Sequence, residues 1–78
     1  NGAHLEQIEA FAAVAERGGI SAAAQAMGRD PSVISRRLDA LEARLGVRLM
    51  ARTTRKITVT EAGSVYLRRV QTILAELS

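Results

Sequence analysis

The chain has no cysteine and no tryptophan, a single proline, and two aromatic side chains, Phe11 and Tyr66, in 78 residues. Without cysteine, no disulfide, thiolate nucleophile or Cys-type zinc site is available. The core must therefore come from aliphatic packing in one small domain, and a second catalytic or sensory domain does not fit in this length. The one histidine, His4, lies near the N-terminus without a companion pair of carboxylates. The constellation an enzyme needs is missing, so no catalytic role, metal or cofactor is expected. Both aromatics sit on apolar helical stripes, which leaves no stacking platform for RNA or single strands. No apolar run approaches the roughly 20 residues of a membrane span, and no signal-peptide order is present, which points to the cytosol. The opening Asn1-Gly2-Ala3 reads as a cloning remnant and carries none of the fold argument.

What charge there is lies unevenly. Residues 1–28 set Arg17 against Glu6, Glu9 and Glu16, a net of −2. Residues 29–69 hold the ten other basic groups against Asp30, Asp39, Glu42 and Glu61, a net of +6, and the tail adds only Glu76. A basic middle between acidic flanks suits a polyanion, because each phosphate neutralised releases condensed counterions. A solvated charged face is the alternative on charge alone.

Apolar spacing then divides the chain. Leu5, Ile8, Ala12 and Ala15, widened by Phe11 and Val14, predict an amphipathic helix over 5–17, stopped by Gly18-Gly19. Ser21 is the expected N-cap of a short Ala-rich helix through Met27, which Gly28 ends in a left-handed conformation. Asp30-Pro31 starts a third helix, with a capping carboxylate followed by a proline whose missing N–H costs nothing there. Ile34, Leu38, Leu41 and Leu45 form its expected buried stripe, Gly46 ends it, and Ser32, Ser35, Arg36 and Asp39 face away. Val47, Leu49 and Ala51 alternate as inward strand positions, and Ile57 and Val59 do so again, which predicts a short hairpin with a basic tip. Thr60 caps a last helix, Glu61 suits its positive end, and Tyr66, Val70, Ile73 and Leu77 make its stripe.

Short helix, glycine turn and longer helix, with Ala23 and Ala24 small enough for a close crossing, form a helix-turn-helix. The outward start of its second helix carries Ser32, Val33, Ser35 and Arg36. These types suit a major groove: arginine can bond guanine O6 and N7, serine can reach base or phosphate, and valine can touch a thymine methyl. The backbone N–H groups of that helix start are an expected phosphate site. Arg52, Thr53, Thr54, Arg55 and Lys56 follow on an extension too short to build a core, where arginine can reach phosphate or a narrow minor groove. The alternative is a winged helix that docks its arginines on an acidic protein partner.

Residues 5–67 resemble the N-terminal domain of the LysR-type transcriptional regulators. The resemblance rests on Phe11 to Glu16, Ala23-Ala24, Ser35-Arg36, Leu41-Glu42, Leu45-Gly46, the stretch Leu49-Met50-Ala51-Arg52-Thr53-Thr54-Arg55, and Thr60-Glu61-Ala62-Gly63. It implies a mainly α fold, a winged helix-turn-helix over 1–60 with a three-helix core and a short β-hairpin wing. A linker and dimerisation helix over 61–78 follows. It further implies a cytoplasmic, nucleoid-associated homodimer bound to double-stranded DNA. By motif position, contacts fall on Pro31, Ser32, Ser35 and Arg36 in the major groove and Arg55 in the minor groove. The last helix is longer, and its apolar surface wider, than one small body needs, which separately assigns dimer contacts to Tyr66, Val70, Ile73, Leu74 and Leu77; packing of that whole surface within one chain is the alternative. An inducer-binding domain is implied outside these residues. Two positions depart from the family. Pro31 stands where relatives often carry glutamine, which removes a side-chain bond to base or phosphate, and Ile20 and Met50 stand where they often carry phenylalanine, which softens the core.

Overall fold

The computed structural model describes residues 2–53 and 56–77. Among them the order is α1 (Gly2–Arg17), α2 (Ile20–Met27), α3 (Pro31–Leu45), β1 (Met50–Arg52), β2 (Ile57–Val59) and α4 (Glu61–Leu77). This is a winged helix-turn-helix: α1, α2 and α3 pack on one another, the antiparallel β1–β2 hairpin is the wing, and α4 returns across α1.

Helix limits follow local chemistry. Asp30 caps α3 through Ser32 N–H at 2.9 Å, and Pro31 occupies the first turn. Gly28 and Gly46, at φ of 66° and 72°, end α2 and α3 in the left-handed region that side chains with a β-carbon disfavour. After α2 the chain closes in the Schellman pattern, Arg29 N–H on Ala24 O at 3.0 Å and Gly28 N–H on Gln25 O at 3.3 Å. One expected cap moves. Ser21 lies inside α2, which begins at Ile20 with Gly19 at the cap position and no side-chain cap bond.

The core collects Ile8, Phe11 and Val14 from α1, Ala23 and Ala24 from α2, Ile34, Leu38 and Leu41 from α3, then Leu49, Met50 and Val70. The two alanines are fully covered, as a close helix crossing requires. Phe11 meets Tyr66 with ring centroids 5.7 Å apart and a 45° tilt, an arrangement favourable beyond area burial alone. Leu45, expected inside, is exposed. It sits in the last turn of α3, at the rim of a hollow it shares with Val47, Val65 and Tyr66.

The strand phase also differs from the expected alternation. Leu49 and its neighbour Met50 are both buried, whereas Val47 and Ala51 are exposed. Residues 46–49 lie outside the strand, which begins at Met50, so pleated alternation does not apply to them. The carboxylate of Glu42 accepts from both Leu49 N–H (2.7 Å) and Met50 N–H (3.0 Å), which holds consecutive residues at the core margin. From Met50 the ladder is regular, with Met50 opposite Val59, Ala51 opposite Thr58 and Arg52 opposite Ile57.

Thr60 starts α4 as expected. Its hydroxyl accepts from Gly63 N–H at 3.0 Å and donates to Arg48 O at 2.6 Å, while its own N–H reaches Leu49 O at 2.9 Å. Along α4 the expected single stripe divides. Val70 is fully buried, Tyr66, Leu67 and Leu74 pack on the core margin, and Ile73 and Leu77 remain 45% and 66% exposed. Gln71 Nε2 donates to Glu16 Oε2 at 3.2 Å and ties this helix to α1.

Candidate nucleic-acid interface

The first turn of α3 projects from the body because Ile34 and Leu38 hold the opposite face in the core. Pro31, Ser32 and Arg36 are exposed, and Ser35 and Val33 are half-buried. Val33 and Arg36 border a shallow hollow shared with Glu6 and Gln7 of α1, and Arg37 stands 3.9 Å from Glu6. Arg36 lies along its own helix, its Nε donating to Ser32 O at 3.4 Å.

The helix start is not an open phosphate site. Asp30 Oδ1 accepts from both Ser32 N–H (2.9 Å) and Ser32 Oγ–H (2.7 Å), Pro31 has no N–H, and Val33 and Ile34 N–H turn to Asp30 O. The hydrogen bonds from Ser32, side chain first and backbone second, hold the Asp30 carboxyl below its ordinary range, with a smaller pull from Arg36. A carboxylate thus already fills the place assigned to phosphate from the sequence. The start of α2 is different. It lacks a side-chain cap and borders a cleft of about 360 Å³ that Arg52, Thr53, Lys56 and Ile57 line from the wing.

Arg52, expected to face a nucleic acid freely, donates from Nη2 to Asp39 Oδ1 at 2.8 Å. Asp39 follows Ser35 by four residues and Arg36 by three, so it shares their helical face. The wing thus lies beside the outward face of α3, one turn beyond Arg36. At the tip, Thr53 N–H donates to Lys56 O at 2.8 Å, and Lys56 N–H to Thr53 Oγ1 at 3.0 Å. Thr54 and Arg55, the latter expected in the minor groove, lie outside the described residues.

Two positions carry more than their sequence signals implied. Glu42 anchors the wing, and Asp39 holds its first arginine; only the spacing of three between these carboxylates on one helix hinted at a shared role. Of the dimer set, Tyr66, Val70 and Leu74 pack within the chain, and Ile73 and Leu77 stay outside with Val65. Burial raises the Tyr66 hydroxyl above its ordinary pKa, against the opposing pull of Arg44. Among the described residues no cluster of three His, Asp or Glu side chains is placed to hold a metal, and no helix is long and apolar enough to cross a membrane.

A family model described as bacterial regulatory helix-turn-helix protein, lysR family, matches residues 5–64. The HTH-type transcriptional regulator PtxR of Pseudomonas aeruginosa is 43% identical over 77 residues, which are 99% of this chain and 25% of that protein. The HTH-type transcriptional regulator CrgA of Neisseria meningitidis serogroup B is 42% identical over 73 residues, 94% of this chain and 24% of that protein. The chain thus spans about a quarter of the length of these curated relatives. Among solved structures, the CbnR_DBD-DNA complex superposes with a TM-score of 0.89 at 40% identity, covering 94% of this chain and 84% of that one. Oxidised OxyR of Corynebacterium glutamicum gives 0.90 at 36% identity, covering 94% of this chain and 22% of that one.

Proposed function

The chain belongs to the lysR family of bacterial regulatory helix-turn-helix proteins, and from that premise we propose that it is the DNA-reading part of a transcriptional regulator, sequence-specific for double-stranded DNA and not an enzyme. One observation carries the reading: the basic wing lies beside the face of α3 that bears Ser32, Ser35 and Arg36, close enough for Arg52 to reach Asp39 at 2.8 Å. That face is polar and its Ser32 and Arg36 are exposed, as an element entering a groove about 12 Å wide must be. Similarity to a CbnR_DBD-DNA complex and to a BenM_DBD/catB site 1 DNA complex supports the same use of the fold. In this reading Ser32, Val33, Ser35 and Arg36 meet base edges or nearby phosphates in the major groove, while Pro31 offers only apolar contact. Lys56, Thr53, Thr54 and Arg55 serve the wing, with Arg55 in the minor groove. A phosphate is better received at the uncapped start of α2, beside Arg52 and Lys56, than at the start of α3.

The active unit is a homodimer in the cytoplasm, at the nucleoid. A 17-residue α4 is about 26 Å long, and its exposed Val65, Ile73 and Leu77 form an apolar edge that the chain itself does not cover. A second copy of α4 against that edge sets two recognition helices on half-sites about 34 Å apart, or a multiple of it. Residues 1–60 read the DNA and 61–78 join the copies. An inducer-binding domain is assigned to the longer protein.

Selection from a library of random duplexes, followed by titration of the enriched duplex and a scrambled one over a range of salt, tests the reading. Enrichment of one motif and a steep linear fall of log affinity with log salt are expected. Failure to enrich any duplex would sink it and favour an acidic protein partner.

A further inference from the structure

Asp39 is an acidic side chain on the surface proposed to meet a polyanion, and it is 60% exposed there. Its carboxylate accepts from Arg52 Nη2 at 2.8 Å, and Arg52 is itself 31% exposed, so the pair stands at the solvent boundary between α3 and β1. One turn further along α3, Glu42 grips the same segment through two backbone bonds, to Leu49 and Met50 N–H. The wing therefore stays attached to α3 whether or not the Asp39 contact is closed. A carboxylate that the fold does not need as an anchor occupies a cation that the surface would otherwise offer to DNA.

The chemistry of the pair explains what it can do. A guanidinium donates to carboxylate and phosphate oxygens in the same planar geometry. An exposed ion pair is weak and screened by salt, so it yields to a competing anion held close by other contacts. We propose that Asp39 is a specificity-determining residue: its carboxylate holds Arg52 as an internal stand-in for a DNA phosphate and releases it only when α3 is seated closely enough for a phosphate to take over. On a loosely held, non-matching duplex the pair stays closed and one phosphate contact is missing. On the matching duplex the exchange takes place. This inference rests on the DNA reading of the previous subsection.

The test is Asp39→Asn, a nearly isosteric change at an exposed position. Affinity is measured over a salt series on the enriched duplex and on a scrambled one, in the parent and in an Arg52→Gln background. Freeing Arg52 adds about one phosphate contact on the scrambled duplex. The plot of log affinity against log salt should steepen there by about 0.9, equivalent to roughly fivefold tighter binding at about 0.15 M salt. The enriched duplex should change less, so the specificity ratio falls. In the Arg52→Gln background the same substitution should leave the slope where Arg52→Gln put it. If Asp39→Asn leaves the slope on scrambled DNA unchanged, or steepens it equally without Arg52, the inference is overturned while the DNA reading stands. A parent chain that bound no duplex would overturn both.

Discussion

The α-carbon of Gly63 rests against the carbonyl of Leu49 so closely that a β-carbon built there would overlap Leu49 O and stand 2.8 Å from Val59 Cγ1. The contact lies where Thr60 N–H reaches the same Leu49 carbonyl and Thr60 Oγ1 caps α4, so the hairpin base and the start of α4 meet at one backbone site. Gly63→Ala is expected to destabilise the chain by about 1–3 kcal/mol, because the obstacle is backbone and cannot rotate away. In a free helix the same change would stabilise by up to about 1 kcal/mol, so the sign decides. A higher midpoint in urea for the alanine variant would contradict the packing described.

Asp30 links stability to pH. Its folded carboxyl is held below the ordinary 3.8 by the Ser32 bonds, so its contribution is fully present above the unfolded pKa and is lost as pH falls through the depressed folded one. Asp30→Ala should lower the melting temperature near neutral pH, and the gap between parent and variant should close in acid, below the ordinary aspartate range. Thermal melts of both proteins from about pH 7 to about pH 2 check this. A gap that persisted at the acid end would mean that the carboxylate charge is not what caps α3.

Arg36 is placed for readout by its exposure on the first turns of α3, where its bond to Ser32 O is long, at 3.4 Å. Arg36→Ala should cost about 1–3 kcal/mol on the enriched duplex and relax preference at one base pair. Titration against single-position variants of that duplex measures both. An equal loss on scrambled DNA would make Arg36 a phosphate contact instead.

The exposed end of α4 predicts the oligomeric state. Replacing Ile73 and Leu77 together with glutamate leaves the packed Tyr66, Val70 and Leu74 untouched, so the fold should survive while the dimer is lost and affinity for the enriched duplex drops steeply. Sedimentation at micromolar concentration and duplex titration provide the two readouts. A parent that is already monomeric, together with unchanged affinity in the double variant, would refute the dimer.

Much of this architecture was legible in the sequence, because its signals act over a few residues. Asp30-Pro31 opens α3, Gly28 and Gly46 adopt the left-handed turns that end α2 and α3, and Ile34, Leu38 and Leu41 repeat with the helical period that buries them. The motif set from Phe11 to Gly63 was enough to indicate the family, and Thr60 caps α4 by a bond within its own first turn. The rest depended on which side chains meet after the chain folds back on itself. Local alternation gives no sign that Glu42 will grip the amides of Leu49 and Met50 and turn both inward. Nor does it show that Arg52 will find Asp39 thirteen positions earlier. The helical period alone likewise makes one stripe of Tyr66, Val70, Ile73 and Leu77; only the position of α1 beneath α4 decides that Val70 is covered and Leu77 is not. Caps, turns and periodicity are properties of neighbouring residues and were set by the sequence alone. The pairing of charges and the division of an apolar face are properties of surfaces brought together across the fold, and only the tertiary structure decided them.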